Sequence, residues 1–200
     1  MRKTCLLIII LSCRIAGYSQ TSDTIKDNRD GNIYKIVKIG NNWLMAENLR
    51  FESKSGSWWD EAIPKYKEIF GCYYTFEVAK TVCPAGWHLP SDKEWQDLCD
   101  LLGGTYWAGG KLKSKDIWLQ PNAGATNETG FSAVPAGFRY PYGLFASEGT
   151  VGYFWSSSVT DWGNCYMWFL GNDIPGFRQG DYEKDCGLNV RCIKDRSEMK

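Results

Sequence analysis

The residues Cys83-Pro-Ala-Gly-Trp-His-Leu-Pro-Ser-Asp-Lys-Glu-Trp95 lie between two predicted helices. Apolar side chains recur at helical spacing before this stretch, and Pro84 ends the first helix at about its start because proline has no N–H and its ring clashes with the preceding turn. Ser91 and Glu94 have the spacing of a capping box, in which each side chain accepts a hydrogen bond from a backbone N–H of the first turn. A second helix is therefore predicted to begin there and to end at Gly103-Gly104.

Composition indicates one globular domain. The chain has 200 residues, of which 44% are hydrophobic and 15% aromatic, enough to build one core. Its 23 basic and 23 acidic residues balance to zero net charge, which argues against a nucleic-acid partner. The 21 glycines and 10 tryptophans are typical of a fold with many loops and short strands. We expect a monomer.

The N-terminus has the layout of a secretory signal peptide, predicted to cover residues 1–19. Met1-Arg2-Lys3 precedes an apolar run at 5–11 that is too short to span a bilayer. We expect cleavage after Ser19, and the alternative is a bacterial lipobox that places a lipid anchor on Cys13. Both outcomes export the domain to the periplasm, the cell surface or the medium. Polar residues 20–29 are predicted to form a disordered linker.

Strand patterns dominate both ends of the remaining chain. Gly40-Asn41-Asn42 has the turn chemistry of a β-hairpin. No clear period appears over 51–70, which is predicted to be a surface loop that is mobile. Helices early and antiparallel strands late predict an α+β fold. The predicted strands are 33–39, 43–49, 72–74, 152–158, 165–170 and 188–193.

Cysteine content indicates disulfide bonds. In an exported protein the cysteines mature under oxidising conditions, and an even number of them is consistent with three bridges. The single histidine, His88, and the lack of a Cys-x-x-Cys pair argue against a metal site. The sequence alone leaves every pairing open. The six cysteines of the predicted domain are Cys72, Cys83, Cys99, Cys165, Cys186 and Cys192.

Several blocks of sequence carry a family resemblance. They include Asp30-Gly-Asn32, the stretch from Cys83 to Trp95, Thr126-Asn-Glu-Thr-Gly-Phe-Ser132, Phe154-Trp-Ser-Ser-Ser158 and Val190-Arg-Cys-Ile-Lys-Asp195. In this order, over residues 30–195, they resemble the Fibrobacter succinogenes major paralogous domain, leaving 196–200 as a tail. The resemblance implies an exported protein of the kind found in Fibrobacter and Bacteroidetes. The biochemical function of that family is not established.

The order of helix, cysteine and final strand also resembles the C-type lectin-like fold. That resemblance implies two short helices packed on small antiparallel sheets, many loops, and a disulfide staple between Cys83 and Cys192. It leaves Cys165 with Cys186, and Cys72 with Cys99, as the other two pairs.

The predicted function is non-catalytic binding of a glycan or a cell-surface protein. Asp161-Trp162-Gly163-Asn164 joins two predicted strands, and an aromatic ring between a carboxylate and an amide suits a sugar, as does Trp107 after the second helix. The competing interpretation is an ordinary turn, with Trp162 folded back onto the sheet. We expect no catalytic residue, metal or cofactor. Gln120-Pro121-Asn122 is similar to a lectin sugar and calcium motif, but it precedes the strand that the motif should follow. His88 is expected to be structural.

Two other functions remain open. The first is a structural or adhesion module at the cell surface that has no small-ligand site. The second is a cysteine-dependent oxidase, because the formylglycine-generating family shares the C-type lectin-like fold. Cys186 and Cys192 are one residue further apart than that family's cysteine pair, which changes the faces on which they lie in a strand.

Overall fold

A computed structural model describes residues 21–198. The predictions for the signal peptide, for cleavage after Ser19 and for a lipid on Cys13 concern residues outside this range. The strands within this range are β1 (Thr21–Lys26), β2 (Ile33–Ile39), β3 (Asn42–Met45), β4 (Ser57–Trp58), β5 (Tyr73–Tyr74), β6 (Trp87–His88), β7 (Phe138–Arg139), β8 (Phe145–Ala146), β9 (Val151–Val159), β10 (Cys165–Gly171), β11 (Phe177–Tyr182) and β12 (Ile193–Lys194). The α-helices are α1 (Lys65–Phe70), α2 (Phe76–Ala79), α3 (Asp92–Leu101) and α4 (Thr105–Leu112). A short 3₁₀ helix covers Arg196–Glu198.

The strands form small antiparallel sheets, which confirms the α+β class. One sheet has five strands in the order β1-β2-β3-β12-β6, and a second has three in the order β11-β10-β9. Two further pairs, β4 with β5 and β7 with β8, complete the arrangement. None of the helices within residues 21–198 has the length and apolar character needed to cross a bilayer.

The predicted hairpin is present. Ile39 pairs with Asn42 across the turn, and Gly40 takes a φ of +61°, which glycine adopts without steric cost. Along β2, Tyr34 and Ile36 are buried on one face and Val37 and Ile39 on the other, so the strand contributes to two core clusters. The second strand of the hairpin ends at Met45 and is shorter than predicted.

Residues 20–29 were predicted to be a disordered linker, and this prediction is wrong for most of the interval. Residues 21–26 form β1, which pairs along its whole length with β2, from Thr21 opposite Lys38 to Lys26 opposite Ile33. The side chains of β1 are almost all exposed, so the strand is held mainly by backbone hydrogen bonds to β2. Because these side chains are mostly polar, their pattern does not indicate a strand here.

The capping box is confirmed. The Ser91 hydroxyl accepts a hydrogen bond from the Glu94 N–H at 3.3 Å, and the Glu94 carboxylate accepts one from the Ser91 N–H at 2.8 Å. At the other end of α3, Gly104 donates to the Cys99 carbonyl at 2.8 Å with a φ of +98°. The preceding helix, α2, is shorter than predicted. It ends at Ala79 because the chain tightens into a turn in which Thr81 donates to the Val78 carbonyl.

Two helices were not predicted. The first, α1, lies in the 51–70 segment, which also contributes β4 and is therefore not a loop throughout. The second, α4, follows α3 directly. Its Gly109 and Gly110 are required by close packing, because a Cβ added to them would lie 2.0 Å from the Gly176 carbonyl oxygen and 2.2 Å from that of Gly124, respectively.

The late strands are only partly as predicted. β9 and β10 match the expected intervals, and β11 was missed. Of the predicted strand 188–193, only the end is regular. Leu188 forms an isolated bridge with Tyr74 and Asn189 another with Phe154, because this segment passes between separate sheets.

Aromatic side chains fill the core. Trp95, Trp118, Trp155 and Trp168 are buried, and Trp87 is half-buried against the cluster that contains Trp155. Their polar atoms are satisfied, since the Trp155 indole donates to the Tyr74 carbonyl at 2.7 Å and the Trp118 indole to the Ala133 carbonyl at 2.9 Å.

A buried guanidinium joins distant parts of the chain. Arg191 is 1% exposed and donates to the Asn48 side chain at 2.7 Å, to the Ser132 carbonyl at 2.9 Å and to the Phe131 carbonyl. Its charge also lies over the Phe131 ring, 4.3 Å from the centroid. Burial lowers the pKa of Arg191 to about 9, against an opposing effect of Glu47.

The structure confirms one of the three expected disulfides. Cys83 is bonded to Cys192, with a Cα–Cα distance of 5.9 Å and a sequence separation of 109. The other four cysteines are free buried thiols, so the two remaining pairs are corrected. Cys72 and Cys99 lie in different core clusters, and Cys165 packs in the core whereas Cys186 lines a surface cavity.

Candidate functional site

The turn between β9 and β10 is closed by its own hydrogen bonds. Thr160 donates through its N–H to the Asn164 carbonyl at 2.8 Å and accepts at its hydroxyl from the Asn164 N–H at 3.1 Å. Gly163 takes a φ of +84°, where a side chain would be strained. The turn therefore has a defined geometry without support from the core.

Three of the predicted site residues lie on this turn. Trp162 is 92% exposed, so the interpretation in which it folds back onto the sheet is not what the structure has. Asp161 and Asn164 are also exposed, and the Asn164 amide donates to the Asp181 carboxylate at 2.7 Å. That bond connects the turn to β11 and leaves the Trp162 indole free of the protein surface.

Trp107, the fourth predicted site residue, lies away from the Trp162 turn. It is 59% exposed on α4, edge-on to Tyr106 with a centroid distance of 4.7 Å, and lines a cavity of about 330 Å³ that includes Pro175. Pro175 precedes β11, at the end of β10 opposite the Trp162 turn. The seven residues of β10 give six intervals between its two ends, or roughly 20 Å at about 3.4 Å per residue.

A cleft beside the Trp162 turn brings together aromatic and acidic side chains, and we call it the tyrosine cleft. Its volume is about 520 Å³. The rings of Tyr140 and Tyr142 are stacked, with centroids 4.8 Å apart and planes inclined by 13°. Tyr142, the outer ring, is 70% exposed. The cleft is lined by Tyr140, Pro141, Tyr142, Asn164, Asp181, Tyr182, Glu183 and Cys186.

Phe138 fixes two of the tyrosines in place. It is buried, and its ring lies edge-on to Tyr140 at 4.6 Å and to Tyr182 at 5.3 Å. The hairpin between β7 and β8 then turns the chain back, with the Tyr140 N–H donating to the Leu144 carbonyl at 2.8 Å. A buried ring therefore positions the exposed stack, so the cleft is preformed.

Two carboxylates supply the charge of the tyrosine cleft. Burial raises the pKa of Tyr182 to about 12, with a smaller contribution from nearby tyrosines. Burial, reinforced by Glu183 and Asp185, raises the pKa of the Cys186 thiol to about 11. Both groups are therefore neutral at physiological pH, and the acidic side chains of the lining are those of Asp181 and Glu183.

A match to one protein family is found over residues 37–194. The matching family model is that of the Fibrobacter succinogenes major domain, and it covers most of the chain. The chain belongs to this family. No curated protein and no solved structure matches the chain. The C-type lectin-like assignment and the similarity to formylglycine-generating enzymes therefore stay predictions.

The matched Fibrobacter succinogenes major domain includes the disulfide, the Trp162 turn and the tyrosine cleft. The match begins within β2, so β1 precedes it. Sequence reasoning found the turn but missed Tyr140, Tyr142 and Tyr182. The signal available was the pair of tyrosines around Pro141, because connecting segments run over the protein surface and often carry binding residues.

His88 of this Fibrobacter succinogenes major domain is held between two carboxylates. Its Nδ1 lies 2.5 Å from the Asp195 carboxylate and its Nε2 lies 3.0 Å from that of Glu94. Burial lowers the pKa of His88, but the hydrogen bonds to both carboxylates outweigh burial and raise it above the ordinary 6.5. Because both ring nitrogens are engaged, the imidazole fixes the start of α3 to the C-terminal residues.

Two other features could be taken for binding sites, the Gln120-Pro121-Asn122 motif and a large cavity, but their polar and aromatic groups already contact the rest of the protein. The Asn122 amide donates to the Ser114 and Lys115 carbonyls, so it is engaged within its own loop. A larger cavity, about 910 Å³, lies beside the β2–β3 turn, but its aromatic ring, Trp43, packs against the core. Residues 21–198 contain no group of three or more His, Cys, Asp or Glu side chains placed to hold a metal ion.

Proposed function

We propose that this domain is an exported, non-catalytic module that binds a saccharide in the tyrosine cleft. The observation that carries the proposal is the exposed stack of Tyr140 and Tyr142 beside the hydrogen-bonded pair of Asn164 and Asp181. Flat aromatic faces pack on the apolar faces of sugar rings, and amide and carboxylate groups bind the hydroxyls at their edges. The exposed Trp162 on the adjacent turn extends this surface.

Export is supported by the covalent structure. A disulfide between Cys83 and Cys192 is stable in the oxidising environments outside the cytoplasm. The signal peptide predicted over 1–19 would deliver the chain there, either released by cleavage after Ser19 or anchored by a lipid on Cys13. We propose a monomer that is displayed or released in this way.

A cysteine-dependent oxidase receives less support. Cys192 is bonded to Cys83 and so is not a free partner for Cys186. Burial raises the pKa of the Cys186 thiol to about 11, which keeps the nucleophilic thiolate scarce at neutral pH. A purely structural or adhesive module differs from our proposal in having no small-ligand site, and the binding experiment below separates them.

Glycan-array binding of the chain from residue 20 onward, with and without calcium, tests the proposal. Tyr142→Ala should abolish binding and Trp162→Ala should weaken it, whereas the matched control Trp107→Ala should leave it unchanged. Because all three rings are more than half exposed, the unfolding midpoints should stay close to wild type. No glycan bound by the wild type, or binding lost only in Trp107→Ala, would refute the proposal.

A further inference from the structure

The tyrosine cleft has a one-sided charge. Asp181 and Glu183 are its acidic lining groups, and no lysine or arginine among residues 21–198 lines it. Arg139, which precedes Tyr140, is not part of the lining, although its guanidinium donates to the Tyr140 carbonyl at 3.2 Å while it lies 3.9 Å from the centroid of the Trp58 ring. The carboxylates are therefore not neutralised within the cleft.

The rest of the lining also favours a cation. The faces of the three tyrosine rings carry negative potential, which attracts a positive group placed over them. The Cys186 thiol is 2% exposed, lines the cleft and has no hydrogen-bond partner among residues 21–198. A ligand with hydrogen-bonding groups would satisfy this thiol, and a positively charged ligand would gain from rings and carboxylates together.

We propose that the ligand is an amino sugar, in which a free ammonium group lies between the tyrosine rings and the carboxylates of Asp181 and Glu183. This inference rests on the proposed function and specifies its ligand. An uncharged sugar would gain only ring packing and hydrogen bonds from the cleft. An acidic sugar would be repelled by the two carboxylates.

A matched pair of ligands tests this inference: a β-1,4-linked glucosamine oligomer and the same oligomer fully N-acetylated. They share ring, linkage and length and differ at one nitrogen, which is a positively charged ammonium in the first and a neutral acetamide in the second. Isothermal titration should give at least tenfold tighter binding of the glucosamine oligomer at low salt. The preference should shrink at about 1 M salt, where the Debye length falls to about 3 Å. It should also shrink at a pH high enough to deprotonate the amine.

Variants that remove the carboxylates test whether they cause the preference for the free amine. Asp181→Asn combined with Glu183→Gln should remove the preference for the free amine. The matched control Asp185→Asn removes an acid of the same exposed segment that does not line the cleft, and it should leave the preference unchanged. A preference that survives the double variant would overturn the inference.

Two further results separate this inference from the function it rests on. If the acetylated oligomer binds as tightly as the glucosamine oligomer, or more tightly, the amino-sugar inference is overturned while saccharide binding stands. If neither oligomer binds and the array is blank, both fail. An oligolysine peptide that competes as strongly as the glucosamine oligomer would overturn the inference in favour of a basic protein ligand.

Discussion

Removing the disulfide should cost a large part of the stability of this domain. Cys83 and Cys192 close a loop with a sequence separation of 109 residues. In the chain-entropy account of cross-links, a closed loop of this length lowers the entropy of the unfolded chain enough to stabilise the fold by about 4 to 5 kcal/mol. Domains of this size are stable by about 5 to 15 kcal/mol, so the loss would leave a marginal fold.

Urea unfolding of Cys83→Ala/Cys192→Ala, followed by tryptophan fluorescence, measures this loss. With a slope of about 2 kcal/mol per molar, the midpoint should fall by about 2 M. The wild type in reductant should show a similar shift. The variant is its own control, because reductant should not lower its midpoint further. A loss below about 1 kcal/mol would contradict the loop-entropy reasoning, and a further drop of the variant on reduction would show that other bridges exist.

Three more predictions concern the thiols and the helix corner. Alkylation of the unfolded chain from residue 20 should label four cysteines without reductant and all six with it, and labelling of none before reduction would restore the three-bridge arrangement. Ser91→Ala should lower the free energy of unfolding by about 1 kcal/mol through loss of the capping acceptor. Urea unfolding measures this change, with Ser157→Ala as the control because Ser157 does not cap a helix. The pKa of His88 is raised above 6.5, so the stability lost in His88→Gln should be largest below pH 6.5 and should become smaller as pH rises through the raised pKa. The full loss should persist on the acid side until the pH is low enough to protonate Glu94. A loss that does not change with pH would show that the charge of the imidazole does not contribute to stability.

Local chemistry made the corner between α2 and α3 predictable. A capping box and a glycine pair act within a few residues, so their effect on α3 does not depend on the rest of the fold. The hairpin at Gly40 was predictable for the same reason. The disulfide between Cys83 and Cys192 was predicted instead from the resemblance to the C-type lectin-like fold, since cysteine positions alone leave the pairing open.

The elements that were missed are those determined by distant contacts. Gly109 and Gly110 are poor helix formers, yet they occur in α4 because the backbone near Gly176 and Gly124 approaches too closely for any side chain. β1 has exposed side chains and is defined by pairing with β2. Neither cause can be seen within a window of sequence.

The candidate site also has a part that could be predicted from local sequence and a part that depends on distant contacts. The turn that carries Trp162 is local, and its residue types identified it. The tyrosine cleft joins Tyr140 and Tyr142 of one hairpin with Tyr182 of a strand that follows much later, through contacts with the buried Phe138. A sequence without a known fold gives no reason to place these rings together.

The position of the disulfide also sets how the domain responds to mechanical load. If force is applied at the two ends of the described chain, β1 is the first strand to be pulled, and its antiparallel bonds to β2 can open one after another. The extension then meets the bond between Cys83 and Cys192. The sequence separation of 109 between these cysteines corresponds to a chain of roughly 380 Å if fully extended. While the bond is intact, this part of the chain cannot be extended. The tyrosine cleft lies within the closed loop, so the applied force does not act along it.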